Sequence, residues 1–384
     1  MDLLNIHTTS TEAGGLWLRV LFGIVALALI WVVLWDVFET IVLPRRVSRP
    51  VRPSTLVYRT TWTPWAAIAR RMRPGKGRED FLSLYGPLAL LFLLAAWVSA
   101  LLVSYAVIQW ALGSAITVTD GTASFGTDLY LSATTFFTLG LGDVLPRTPL
   151  ARIVTVVEAA NGFALLALTI GYMPALYQAF SRREVSISML EARAGSPPSA
   201  LELLRRHCPR QASETLGELL HDWERWSAEL LESHLSYPFL SYFRSQHDDQ
   251  SWLIALTTIL DTAALVLAGI DGIPTRQAQL TFAMARHAAV DLSQVLGTIP
   301  ITPKPDRLPG SDLSRLREIL RQADVQVHDM PEVDAKLIEL RRMYEPYVTA
   351  LSQHLLMPLP SWLPRTEHPD DWQTSATAHH TELL

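Results

Sequence analysis

Thr134 to Pro146 reads TTFFTLGLGDVLP, and these thirteen residues decide how the rest of the chain is read. Glycines at alternate positions, Gly140 and Gly142, let the backbone take positive φ twice within three residues, which residues bearing a Cβ resist. A short helix candidate, capped by Thr127 and running to about Phe137, comes directly before, with Asp128 in its first turn where the helix dipole favours negative charge. Apolar runs of membrane length lie on both sides. By itself the stretch could be a tight extracellular turn between two membrane helices. Its flanks make it a re-entrant loop led by a short helix.

The composition agrees with a membrane protein. The 384 residues are 49% hydrophobic and only 18% charged, with a mean hydropathy of +0.20. Leu16 to Leu43 is apolar apart from Arg19, Asp36 and Glu39, and at about 1.5 Å per residue it can cross a hydrocarbon core of about 30 Å. No basic stretch precedes it and no small-residue cleavage pattern follows, so it reads as a span and not as a signal peptide. Asp36 and Glu39 are expected to pair with Arg45 and Arg46, the alternative being a gating role. Arg45 to Arg78 then carries ten basic residues and no acidic one, which places this loop in the cytoplasm and the amino terminus outside. Trp62 and Trp65 within it suggest a segment lying on the anionic inner leaflet. Its position between two spans argues against nucleic-acid binding. Phe81 to Leu112 is a second span with no charge, Gly113 to Gly126 a turret loop, and Leu150 to Phe180 a third span that carries Glu158 and Asn161.

The core of the opening stretch, Thr138-Leu139-Gly140-Leu141-Gly142-Asp143, resembles the selectivity filter of potassium channels, usually T-V-G-Y-G-D. Asp143, Pro146, Arg152 and Gly162 extend the resemblance to the bacterial pore-domain family without a gap, over about residues 80 to 180. It implies that consecutive carbonyls of Thr138, Leu139, Gly140, Leu141 and Gly142 replace the water shell of potassium ions, with the Thr138 hydroxyl as a further ligand. It also implies a homotetramer, because one pore loop per chain cannot enclose an ion. Tyr130, Thr134, Thr135 and Glu158 are the expected filter supports, and Gly162 and Pro174 the expected gating hinge. Two departures stand out: Leu141 replaces the tyrosine whose phenol holds the filter at width, and Thr134 stands where some members carry a glutamate. Glu158 either takes over that duty behind the filter or pairs with a helix neighbour such as Asn161. Gly162 is either a hinge or a small packing residue.

The expected architecture is an all-α membrane protein with three transmembrane helices, a pore helix and filter loop between the second and third, and an α-helical cytoplasmic domain. In order these are an extracellular segment 1–15, a first span 16–43, a basic cytoplasmic loop 44–80, a pore domain 81–183, a linker 184–199, a helical domain 200–357, and a tail 358–384 of disorder-prone composition. Trp252 to Ile270 is apolar enough for a fourth span, but Asp261 at its centre would be penalised by about 3 kcal/mol, which favours a buried core helix. His221 with Glu218, and His287 with Asp291, have helical spacing for a metal, although solvated histidines explain them more simply. The lone Cys208 excludes an internal disulfide and a thiolate zinc site. Ser233 to Pro238 and Tyr242 to His247 are dense in aromatic and polar residues, and either bind an unknown small ligand or make turns.

The functional expectation is a tetrameric, potassium-selective channel in the inner membrane, in contact with lipids and without a cofactor beyond the ions in its filter. A poorly selective cation channel and a membrane-tethered sensor with an inert pore loop are the alternatives. No catalytic constellation, phosphate loop, G-x-G-x-x-G or arginine repeat stands out, so neither an enzyme, a nucleotide-binding regulatory domain nor a voltage sensor is expected.

Overall fold

The structure, a computed structural model, describes residues 3–43, 52–118, 122–207, 213–245 and 250–363. Arg45, Arg46, Arg49, Cys208, His247 and the tail from residue 364 lie outside the described residues. The chain is nearly all-α and forms two compact units, Met1–Trp62 with Pro87–Leu176, and Thr63–Gly86 with Tyr177–Leu384.

In the first unit the long helix α1 (Leu3–Val37) ends in a π-helical turn, Phe38–Val42. Ala26, Ile30, Val33 and Val37 recur every three or four residues, so they share one face, and that face is buried with Leu93, Trp97, Leu101 and Tyr105 of α4 (Tyr85–Ala111). Trp17, Leu21, Ile24 and Trp31 stay exposed, as a helix facing lipid requires. Asp36 and Glu39 have partners among the described residues that the sequence did not suggest. Asp36 is buried and accepts from Ser54 N at 3.0 Å, Ser54 Oγ at 2.9 Å and Trp97 Nε1 at 2.9 Å. Among the described residues Arg52 is the nearby cation, with its Nε 3.5 Å from Asp36 and 3.6 Å from Glu39, while the expected Arg45 and Arg46 lie outside the described residues. The reason is a helix end: Ser54 lies in the first turn of α2 (Pro53–Arg71), where unbonded N–H groups attract a carboxylate.

The second unit begins with the later part of α2, where Trp65 stacks on Phe81 of α3 (Lys76–Ser83) at 4.4 Å and donates Nε1 to Phe81 O at 3.2 Å. Trp62 is buried as well, so both tryptophans of the basic segment are packed on protein. The unit continues with the last turns of α6 (Pro149–Ala194), then α7 (Ala200–His207), α8 (Ser213–Ser236), a 3₁₀ turn Pro238–Tyr242, α9 (Trp252–Gly269), α10 (Thr275–Val295), α11 (Gly310–Gln322), α12 (Pro331–Arg342) and α13 (Glu345–Leu355). The stretch 184–199, expected as a linker, is helix as far as Ala194. Ile187, Leu190 and Ala194 bury one helical face, and the turn is confined to the residues after Gly195.

Every residue of α9 from Trp252 to Ala268 is buried. Asp261, the residue that argued against a fourth span, is held by Arg307 Nη2 at 2.7 Å and by the Tyr344 hydroxyl at 2.5 Å. Arg307 also donates to Glu345 at 3.0 Å and to Pro360 O at 3.1 Å. A buried carboxylate needs such a cage, and removing one partner of a pair like this costs about 3–5 kcal/mol.

Candidate ion-conducting loop

The loop is framed by an element the sequence reading had left as turret. Strand β1 (Ile116–Val118) pairs antiparallel with β2 (Val144–Pro146), in the register Ile116 to Pro146 and Val118 to Val144. The β-branched run Ile116-Thr117-Val118 was the available signal. Between the strands lies the pore helix α5 (Phe125–Phe136). Its N-cap is Ser124 and not Thr127: the Ser124 side chain accepts from Thr127 N, and the Thr127 hydroxyl accepts from Ser124 N at 2.8 Å, a reciprocal capping box. Asp128 does lie in the first turn, buried, and accepts from Ser114 Oγ at 2.6 Å.

At the other end of α5 the chain passes into the filter sequence without a break. Thr138 N donates to Thr135 O at 2.9 Å and Leu139 N to Thr134 O at 2.8 Å. The Thr134 and Thr135 carbonyls thus hold the start of Thr138–Leu139, while the Thr134 hydroxyl bonds back to Tyr130 O at 3.0 Å. Positive φ then occurs at every second residue: +57° at Thr138, +58° at Gly140 and +81° at Gly142. The two glycines were expected there. Thr138 was not, and a side chain in this region costs about 1–3 kcal/mol, a strain found where function requires it. Among the described residues, the carbonyls of Thr138 through Gly142 accept no backbone hydrogen bond. They are free to meet a ligand with oxygen, and the negative end of α5 points toward their start. Beyond the glycines, the Tyr130 hydroxyl and the Asp143 carboxylate lie near one another.

Glu158 and Gly162 sit on one face of α6, and that face lies against α5. Glu158 is fully buried and bonds through Oε1 to Ser132 Oγ, which also lies 2.9 Å from Leu102 O. Its second oxygen is buried without a hydrogen-bond partner among the described residues. Asn161 does not pair with it, bonding instead to the Tyr105 hydroxyl. One turn on, a Cβ at Gly162 would lie 2.2 Å from Phe136 O, so the absent side chain is what lets α6 touch the last turn of α5. Pro174 lies inside α6, which continues through it. Gln109, missed by the sequence reading, ties α4 to α6 by donating to Ala151 O and Thr155 Oγ1, each at 3.2 Å.

A loop with unengaged carbonyls at alternating φ, led by a capped helix and braced by a span on each side, is the form of a channel pore loop. Residues 91–178 match the family model for ion channels. The matched ion channel segment takes in α4 from its second turn, α5, the filter and most of α6. The chain is also similar to the uncharacterized membrane protein YdjJ of Bacillus subtilis (strain 168), at 24% identity over 241 residues that cover 62% of this chain and 69% of that protein. No solved structure matches it. The family match ends before the helical unit. There, His221 and His287 are exposed and lie 4.0 Å from Glu224 and 3.9 Å from Asp291, and among the described residues no group of three or more His, Cys, Asp or Glu side chains converges.

Proposed function

We propose that the chain is one subunit of a homotetrameric, potassium-selective channel of the inner membrane, conducting through Thr138 to Gly142. The observation that carries this reading is the alternation of positive φ at Thr138, Gly140 and Gly142 with carbonyls that no backbone donor among the described residues engages. A hard monovalent cation stripped of water needs such a row of oxygens, and four copies would close it into a ring. In this reading the amino terminus is outside, α1, α4 and α6 span the bilayer among lipids, and the helical unit is cytoplasmic. The burial of α9 and the cage around Asp261 support its role as a core helix of that unit. Tyr130, Thr134, Thr135 and Glu158 brace the filter, Gly162 and Pro174 shape the movement of α6, and the ions are the only cofactor.

A second reading, conduction with poor selectivity, is favoured by one feature: Leu141 offers no hydroxyl to hold the filter width. The nearness of the Tyr130 hydroxyl to Asp143 is the feature that supports a constraint of that kind and the potassium reading. Reversal potentials of the purified protein in liposomes, with potassium and sodium on opposite sides, test both. A reversal near the potassium equilibrium potential supports selectivity, and one near zero supports the second reading. Gly142→Ala should abolish flux in assembled protein, because alanine resists the +81° φ. Wild-type flux in that variant would remove the filter assignment.

A further inference from the structure

The aromatic and polar stretch around residues 233 to 247 takes no part in the pore loop, and its described part holds an unusual position within the second unit. After α8 the chain makes the 3₁₀ turn Pro238–Tyr242 and reaches Phe243, whose ring is nearly fully buried. That ring lies 5.6 Å from Phe180 and 6.5 Å from Tyr177, both on α6. On its other side is Gly86, in the first turn of α4, so closely that a Cβ there would lie 2.7 Å from Phe243 Cδ2. The neighbouring Tyr242 ring meets Tyr85 of α4 edge to face at 5.2 Å.

The backbone of the same segment is fixed from α6. Arg183 is buried and donates from Nη1 to Leu240 O and from Nη2 to Phe243 O, each at 3.0 Å. Arg244 then reaches Leu355 O at 2.6 Å and Glu79 of α3 at 3.4 Å, while the Tyr242 hydroxyl lies 3.2 Å from His354 Nε2 of α13. Seven residues are thus held at once by the start of α4, the end of α6 and the body of the helical unit. In the chain, α4 leads into the pore loop and α6 leads out of it.

We propose that Pro238–Arg244 is the coupling element of this protein: Phe243 is a wedge seated between α4 and α6, and Arg183 is the latch that makes the wedge follow α6. A close-packed interior transmits displacement because it has no slack, and the contact at Gly86 leaves no room for the ring to yield. A rearrangement among α8 to α13 that moves this segment therefore moves both helices that flank the pore loop. The proposal rests on the channel reading, and it assigns the regulated step to a specific contact.

The test is single-channel recording of the full-length chain in planar bilayers, with Gly86→Ala, Phe243→Ala and the double variant beside wild type. Expected are changes in open probability of about tenfold or more in each single variant, with unitary conductance and selectivity unchanged. In the Phe243→Ala background, Gly86→Ala should add less than about twofold, because the group it collides with has gone. If Phe243→Ala does not assemble, Phe243→Leu keeps most of the volume and takes its place. Assembled variants with wild-type open probability, or effects that simply add, overturn the coupling role and leave the channel reading intact. A wild-type protein that passes no current overturns both.

Discussion

Gly162→Ala is the substitution for which the structure gives the most definite expectation. A Cβ at this position lies 2.2 Å from Phe136 O, 3.0 Å from its carbonyl carbon and 3.2 Å from its Cα, whereas ordinary contact begins at about 3.4 Å. All three atoms are backbone, so no rotamer change relieves them, and α6 must withdraw from α5 by about 1.2 Å. Overpacking of that kind costs about 1–3 kcal/mol. One turn earlier on the same face, the withdrawal pulls Glu158 from Ser132 and leaves a buried carboxyl without its partner, a further cost of about 1–3 kcal/mol. The sum is large enough to lower the melting temperature of the assembled protein by more than about 5 °C. Thermal melting followed by size-exclusion chromatography, paired with flux from the same preparation, is the assay. Both should fall together. Normal melting with altered open probability would show that Gly162 acts as a hinge with space to spare, and normal melting with normal flux would refute the close contact itself.

Glu158→Gln should be mild, because its amide oxygen can still accept from Ser132 Oγ, whereas Glu158→Ala should disturb selectivity or inactivation strongly and weaken the assembly; equal loss of conductance in both, with selectivity unchanged, would instead mark a charge lining the pore. The stability of the helical unit should fall in mild acid through His234. Its Nδ1 faces Leu230 O at 2.8 Å and must carry the proton, leaving Nε2 to accept from Arg183 at 3.3 Å. Burial first, and the Arg183 charge second, hold its pKa well below 6.5. Below pH 6.5 the unfolded state therefore takes up a proton that the folded state refuses, and stability declines by up to about 1.4 kcal/mol per pH unit while remaining constant above. Denaturant unfolding of wild type and His234→Gln between pH 5 and 7.5 measures this, and an equal slope in the two would show another group to be responsible.

The long helices α1, α4 and α6 were legible because long apolar runs with few charges mark them, and Gly140 and Gly142 were legible because φ there is a property of the residue type. Thr138 was not, since its positive φ is imposed by the tertiary fold against the residue's own preference. The cap of α5 was misplaced by three residues because Ser124 and Thr127 are both good caps, and only the geometry shows that they act as a pair. Glu158 was recognised as a group needing a partner, yet its partner Ser132 lies 26 residues away and carries no distinguishing pattern. Asp36 was likewise recognised as needing a partner, but no local pattern pointed to the helix terminus at Ser54 or to Trp97, 61 residues on. The Arg183 contacts join residues 51 to 60 positions apart, and no local rule reaches that far.

The two-stranded ribbon has a mechanical meaning for the filter. With Val118 registered on Val144, the two ends of the segment that holds α5 and Thr138 to Gly142 are pinned about 5 Å apart. A segment pinned at both ends gains width across Gly140 or Gly142 only by a compensating change within it, such as a tilt of α5 or a bend at Thr138. On the proposed reading of this loop, its width and the angle of α5 are linked, and a perturbation at the Ser124 cap is expected to reach the carbonyls of Thr138 to Gly142.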